Sequence, residues 1–150
     1  MPNYYLVACG TSESDYPEVY PHLEKVPNDL SCVTDILTSH FDYTPVLECL
    51  SLNPSADSIK KEFAKWLISG ECTAEDCIVF YYSGHGEYLL GDQHCLILKE
   101  TDPAMVGSTS LPTDELIRPL QNPGVTLSQI LFIIDTCYSG EGAGDITQYA

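Results

Sequence analysis

A chain of 150 residues, 44% hydrophobic and with ten tyrosines, is long enough to bury a core and composed like a globular protein of one domain. Its formal net charge of −16, with only six Lys and Arg, argues against nucleic-acid binding, which needs basic side chains on phosphates. Such a charge is ordinarily a solvated acidic surface; it also sets up a field that draws in basic substrates or a basic partner.

The chain opens Met1-Pro2-Asn3-Tyr4-Tyr5, with no basic segment followed by an apolar one, so no secretion signal is expected. Tyr4–Cys9 reads as a first buried strand broken by Gly10, and Thr11 to Val26, holding Pro17 and Pro21, as a surface loop. Leu30, Val33 and Leu37 recur at helical spacing, with Asn28 or Asp29 placed to cap. Pro45–Leu50 reads as a short second strand. A further helix starts at Asn53-Pro54-Ser55, carries Ile59, Phe63, Trp66 and Leu67 on one face, and stops at Gly70.

Cys77–Tyr82 is a continuous apolar run, expected as a strand buried on both faces, and it leads straight into Ser83-Gly84-His85-Gly86. Tyr88–Leu90 and Cys95–Leu98 flank Gly91-Asp92 as a hairpin. Thr113 is placed to cap a helix to about Leu120, limited by Pro119. Ile130–Ile134 is the second run apolar enough to be a buried, central strand, and it ends in Asp135-Thr136-Cys137. Both runs are far too short to span a bilayer, so no membrane partner is expected. Strands alternating with helices predict an α/β sandwich with a mainly parallel sheet.

The seven cysteines, from Cys9 to Cys137, are odd in number and form no Cys-x-x-Cys pair. That spacing speaks against a disulfide framework, a zinc site or a redox pair, and for reduced thiols in a cytoplasmic protein. Cys137 differs from the rest. In open parallel sheets ligands bind beyond the carboxyl ends of the strands, and there two separate segments deliver His85 and Cys137 to one edge. A thiol becomes a strong nucleophile when an imidazole takes its proton, and the same imidazole can protonate a leaving amine. The amides of Gly86 and Cys137 are candidates for an oxyanion hole.

Tyr81-Tyr82-Ser83-Gly84-His85-Gly86 and Asp135-Thr136-Cys137-Tyr138-Ser139-Gly140, with their His and Cys 52 positions apart, resemble the caspase–metacaspase superfamily of cysteine peptidases. Asp-Thr-Cys-Tyr-Ser-Gly, in place of the Gln-Ala-Cys-x-Gly of animal caspases, favours the metacaspase and bacterial caspase-homologue branch. The resemblance implies a caspase-like three-layer α/β sandwich and a catalytic pair made of His85 and Cys137. It also implies that Asp135, and Asp29 in Pro27-Asn28-Asp29-Leu30, form an acidic substrate pocket for Arg or Lys. Ser83 and Asp135 each lie two positions before their catalytic neighbour, on the same sheet side if the strand geometry persists. Asp29 remains equally open to a helix-capping role. Protein or peptide substrates cut after Arg, with Lys second, are therefore expected. A protease of that kind gains from carrying few Lys and Arg itself.

Some family members are activated by calcium. Glu100, Asp102, Asp114 and Asp145 are oxygen donors of the right type, but their spacing is not that of a calcium loop, so no metal and no cofactor is assigned. The glycines of Gly140–Asp145 are wrongly spaced for a dinucleotide site, and no arginine follows Cys137 to hold a phosphate. A catalytically silent caspase-like module, acting as a scaffold, is the rival from another class. Caspase-like folds continue past the cysteine with the strands of a small subunit, whereas Ala150 stands 13 residues beyond Cys137. The fold is expected to be incomplete without them, with Ile130–Ile134 an apolar edge until a small-subunit chain covers it, as after cleavage of a zymogen.

Overall fold

The three uncharged, β-rich runs of the sequence become three adjacent parallel strands, and the helical periodicities become the layers that cover them. The structure, a computed structural model, describes residues 1–126 and 129–136. In chain order come β1 (Tyr4–Gly10), α1 (Val26–Phe41), β2 (Thr44–Pro45), a 3-10 turn (Glu48–Leu50), α2 (Ala56–Ile68) and β3 (Cys77–Ser83). Then follow β4 (His85–Leu89), β5 (Gln93–Ile97), a single turn α3 (Val106–Thr109), β6 (Leu111–Pro112), a 3-10 helix (Thr113–Gln121) and β7 (Gln129–Asp135).

A parallel sheet is ordered β2-β1-β3-β7, and β4-β5-β6 form a separate antiparallel sheet. This is the expected α/β sandwich. On one face Ala8 and Tyr81 pack against Val26, Leu30 and Val33 of α1. On the other, Val7, Cys9, Ile78, Phe80 and Tyr82 pack against Ile59, Phe63, Trp66 and Leu67 of α2 and Leu116 and Ile117 of the 3-10 helix. Phe63 and Phe80 are fully buried with ring centroids 5.2 Å apart; truncating such a ring to Ala costs about 3–5 kcal/mol. Ser55 caps α2, its hydroxyl accepting from the Ser58 N–H at 3.0 Å.

The strand register puts Gly10, Ser83 and Asp135 side by side at the carboxyl end of the sheet. A side chain at Gly10 would stand 2.6 Å from the Ser83 carbonyl oxygen and 2.8 Å from Val26, so glycine is what lets α1 begin so close to the strands. Rather than ending at Cys9, β1 therefore runs through Gly10.

Several local expectations are corrected. Pro45–Leu50 is not a strand, because Leu47 adopts φ 54° and the chain turns into the 3-10 segment. Neither Asn28 nor Asp29 caps α1, which starts earlier, at Val26, with Pro27 in its first turn and no side-chain cap. The segment from Thr113 is a 3-10 helix, with Pro119 inside it lacking the N–H an α-helix needs. Thr113 does not cap it. Thr11, Ser12 and Tyr20 are buried, so the 11–25 segment is packed rather than laid over the surface.

The hairpin is longer than read, and His85 itself opens it: Gly84 separates β3 from β4, so Ser83 and His85 lie in different sheets. β7 is an edge strand among the described residues, not a central one. Its Ile130, Phe132 and Ile134 face the core, while Leu131 and Ile133 are 56% and 39% exposed.

Candidate active site

At the carboxyl end of the parallel sheet a cleft of about 660 Å³ is lined by 22–26 of the loop and the start of α1, by Asp29, by Ser83-Gly84-His85, and by Asp135-Thr136. Four of the residues singled out from sequence, Asp29, Ser83, His85 and Asp135, thus share one cavity. Gly86 does not line it. It lies in β4 opposite Leu96. Cys137, the expected nucleophile and second amide donor, lies outside the described residues, as does Asp145.

His85 is half-buried, and its Nε2 lies 2.8 Å from the carbonyl oxygen of Pro21. A carbonyl only accepts, so this bond assigns the proton to Nε2 and leaves Nδ1 as the basic nitrogen. The Tyr20 ring lies beside the imidazole, centroid to centroid 6.0 Å, and its hydroxyl donates to Glu87 Oε2 at 2.6 Å. Burial, then the hydrogen bond and charge of Glu87, push the Tyr20 phenol up, so it stays a donor.

Asp135 is exposed at the end of β7 and accepts from the Tyr81 hydroxyl through Oδ2 at 3.2 Å. Burial first, and the Asp135 charge second, push the Tyr81 phenol up to about 12. Asp29 stands in the first turn of α1, where the positive end of the helix dipole favours its carboxylate. Two carboxylates in one cleft, one anchored through a single oxygen, suit a cation that brings several donors.

Sequence reasoning gave no role to Pro21, Tyr20, Glu87, Tyr81 or His94. Pro21 acts through its main chain, which residue type does not advertise. Tyr81 was readable in principle: two positions before Ser83 on β3, it is diagonal to Asp135 across the β3–β7 register. His94 is fully buried and joins three elements, with Nδ1 2.6 Å from Thr113 Oγ1 and Nε2 3.3 Å from Thr136 Oγ1.

Three of the four acids considered for calcium, all but Asp145, have other partners. Glu100 accepts from the Ala56 N–H at 3.0 Å, Asp102 from the Ala104 N–H at 2.9 Å, and Asp114 from Gln93 at 3.4 Å. Among the described residues no group of three His, Cys, Asp or Glu could hold a metal ion. No helix among them is long and apolar enough to cross a membrane.

Comparison with known proteins gives the family of the chain. A family model described as the caspase domain matches residues 11–149, nearly the whole chain. The chain belongs to the caspase family of cysteine peptidases. It is also 30% identical over 151 aligned positions to Metacaspase-1 of Arabidopsis thaliana, an alignment covering 89% of this chain and 38% of that protein. The caspase-family chain therefore spans well under half the length of that relative. The match takes in both motif segments, the one around His85 and the one that begins at Asp135.

Proposed function

We propose that the chain is the catalytic part of a cysteine endopeptidase that cuts after Arg, and second after Lys, with His85 and Cys137 as its catalytic pair. The observation that carries this reading is the cleft itself, where the imidazole of His85 shares one cavity with Asp29, Ser83 and Asp135. The side chain of Asp135 and that of Asp29 bind the substrate guanidinium or ammonium, and Ser83 shapes the wall between them.

In this mechanism His85 Nδ1 takes the proton of the Cys137 thiol, and the thiolate attacks the carbonyl carbon of the scissile bond. The oxyanion that forms is held by the amide of Cys137; Gly86, which does not line the cleft, is given no part in this scheme. As the C–N bond breaks, His85 returns the proton to the leaving amine, leaving a thioester on Cys137. Water then attacks the thioester with His85 as base, releasing the carboxylic acid and restoring the thiol.

We propose in addition that further strands, on the same or another polypeptide, cover the exposed face of β7, since Leu131 and Ile133 present apolar surface there. The site needs no cofactor in this scheme, and six described cysteines are free thiols, which suits the cytoplasm.

Hydrolysis of peptides bearing Arg, Lys or Asp before the scissile bond tests the reading, with strands to cover β7 supplied. Turnover of the Arg peptide, abolished by Cys137→Ala with the melting temperature kept, is the expected result. Preference for Asp would overturn the pocket assignment. Failure of an active-site thiol probe to label Cys137 would favour the silent scaffold.

A further inference from the structure

The loop that carries Pro21 meets the hairpin through two polar contacts, Pro21 with His85 and Tyr20 with Glu87. Its flanks are tied by main-chain bonds: Asp15 N–H to the Lys99 carbonyl at 3.0 Å, and Leu23 N–H to the Ser12 carbonyl at 2.8 Å. Pro21 has no N–H of its own, so where its carbonyl sits depends on its neighbours. The neighbour that reaches the hairpin is Tyr20. Its ring packs on Cys95 and Ile97, the β5 partners of Glu87 and His85, and its hydroxyl donates to Glu87. Glu87 lies two residues after His85 in β4, and so on the same side of the hairpin.

We infer that Tyr20 and Glu87 are positioning residues for His85: their hydrogen bond clamps the loop to the hairpin so that the Pro21 carbonyl holds the imidazole by Nε2. This rests on His85 acting as the base of the peptidase reaction. The clamp fixes both the ring plane and the tautomer, so Nδ1 is presented to the reacting atoms without a search over ring rotations. The bond is charge-assisted and short, which gives it more hold than a neutral pair. A tyrosine that served only to fill space would need its ring but not its hydroxyl.

Four proteins test this: the wild type, Tyr20→Phe, Glu87→Ala and Glu87→Gln, each measured for melting temperature, steady-state kinetics on an Arg peptide, and the nitrogen-15 spectrum of His85. Tyr20→Phe and Glu87→Ala are expected to lower kcat by about 10- to 30-fold with KM within about twofold, as for a group acting on the transition state alone. Glu87→Gln, whose amide oxygen still accepts from Tyr20, is expected to recover most of that loss. In the spectrum the wild type shows His85 with the proton on Nε2, and the two disruptive variants show exchange between tautomers. Should Tyr20→Phe fail to fold, the Glu87→Ala and Glu87→Gln pair carries the same comparison.

Wild-type kcat and an unchanged spectrum in Tyr20→Phe and Glu87→Ala would overturn the clamp. So would a Glu87→Gln variant as slow as Glu87→Ala, since charge rather than the hydrogen bond would then be at work. If the wild type, with strands to cover β7 supplied, cleaves no peptide, the peptidase reading falls. The tautomer comparison still decides the clamp.

Discussion

The two ends of the parallel sheet use the same chemical group in opposite ways. At the amino end Asp76, 1% exposed, is consumed by the protein: it accepts from the Asn3 N–H and the Thr73 N–H, each at 2.8 Å. It pins the start of β1 to the turn before β3. These backbone bonds hold its carboxyl below the usual carboxylate range. At the carboxyl end Asp135 receives the Tyr81 hydroxyl on one oxygen and otherwise faces the cleft, whose lining also includes Asp29. A fold stabilises itself with the carboxylates it surrounds by amides. Those it surrounds by space stay open to a ligand, the role proposed for Asp135.

The contrast is broken most severely at His85, the base of the proposed mechanism. His85→Ala is expected to lower kcat by about 10³-fold or more while leaving the melting temperature unchanged, as steady-state kinetics and calorimetry would establish. Next comes the pocket. Asp135→Asn is expected to lower kcat/KM for an Arg peptide by about 10²-fold, again with no loss of stability; an equal loss on Arg and on neutral peptides would refute a charge-reading role.

At the other end the signs reverse. Asp76→Ala leaves the Asn3 and Thr73 amides, whose bonds to it are part-buried, without their acceptor and is expected to lower unfolding free energy by about 1 kcal/mol, with turnover per folded molecule unchanged. Denaturant melts combined with active-site titration check this.

The smallest effect is in pH. Because the Asp76 pKa is depressed on folding, its contribution is complete above the unfolded value near ~3.9 and is lost as pH falls through the folded value. Acid melts of the wild type should steepen below about pH 4, and Asp76→Asn should flatten that slope.

How much of this was legible follows from where the information sits. Cys77–Tyr82 is uncharged and flanked by polar turns, and it became the buried strand it resembles. So did the α2 face of Ile59, Phe63, Trp66 and Leu67. The convergence of Asp29, Ser83, His85 and Asp135 was readable because each sits at an element's end on one side of the sheet. What failed were local readings that a neighbour overrides. Leu47 takes a left-handed conformation that no preference of leucine announces, and Thr113 turns its hydroxyl to His94 rather than to a helix end. Ile130–Ile134 is as apolar as a central strand, yet only alternate residues are covered, because hydrophobicity does not say which layer arrives on each side. The Pro21 carbonyl could not be read at all, since every residue has one.

The half-covered strand β7 also governs how this chain behaves among copies of itself. Among the described residues it is an edge strand that offers Leu131 and Ile133, the kind of surface that templates edge-to-edge pairing. Against that stands a charge of −16, which keeps like molecules apart while its field reaches beyond the surface. The reach shrinks from about 8 Å at physiological ionic strength to about 3 Å in molar salt. Colloidal stability of the 150-residue chain is therefore on loan from its charge: it should stay dispersed in dilute buffer and self-associate as salt is added, a reversal of the usual salting-in.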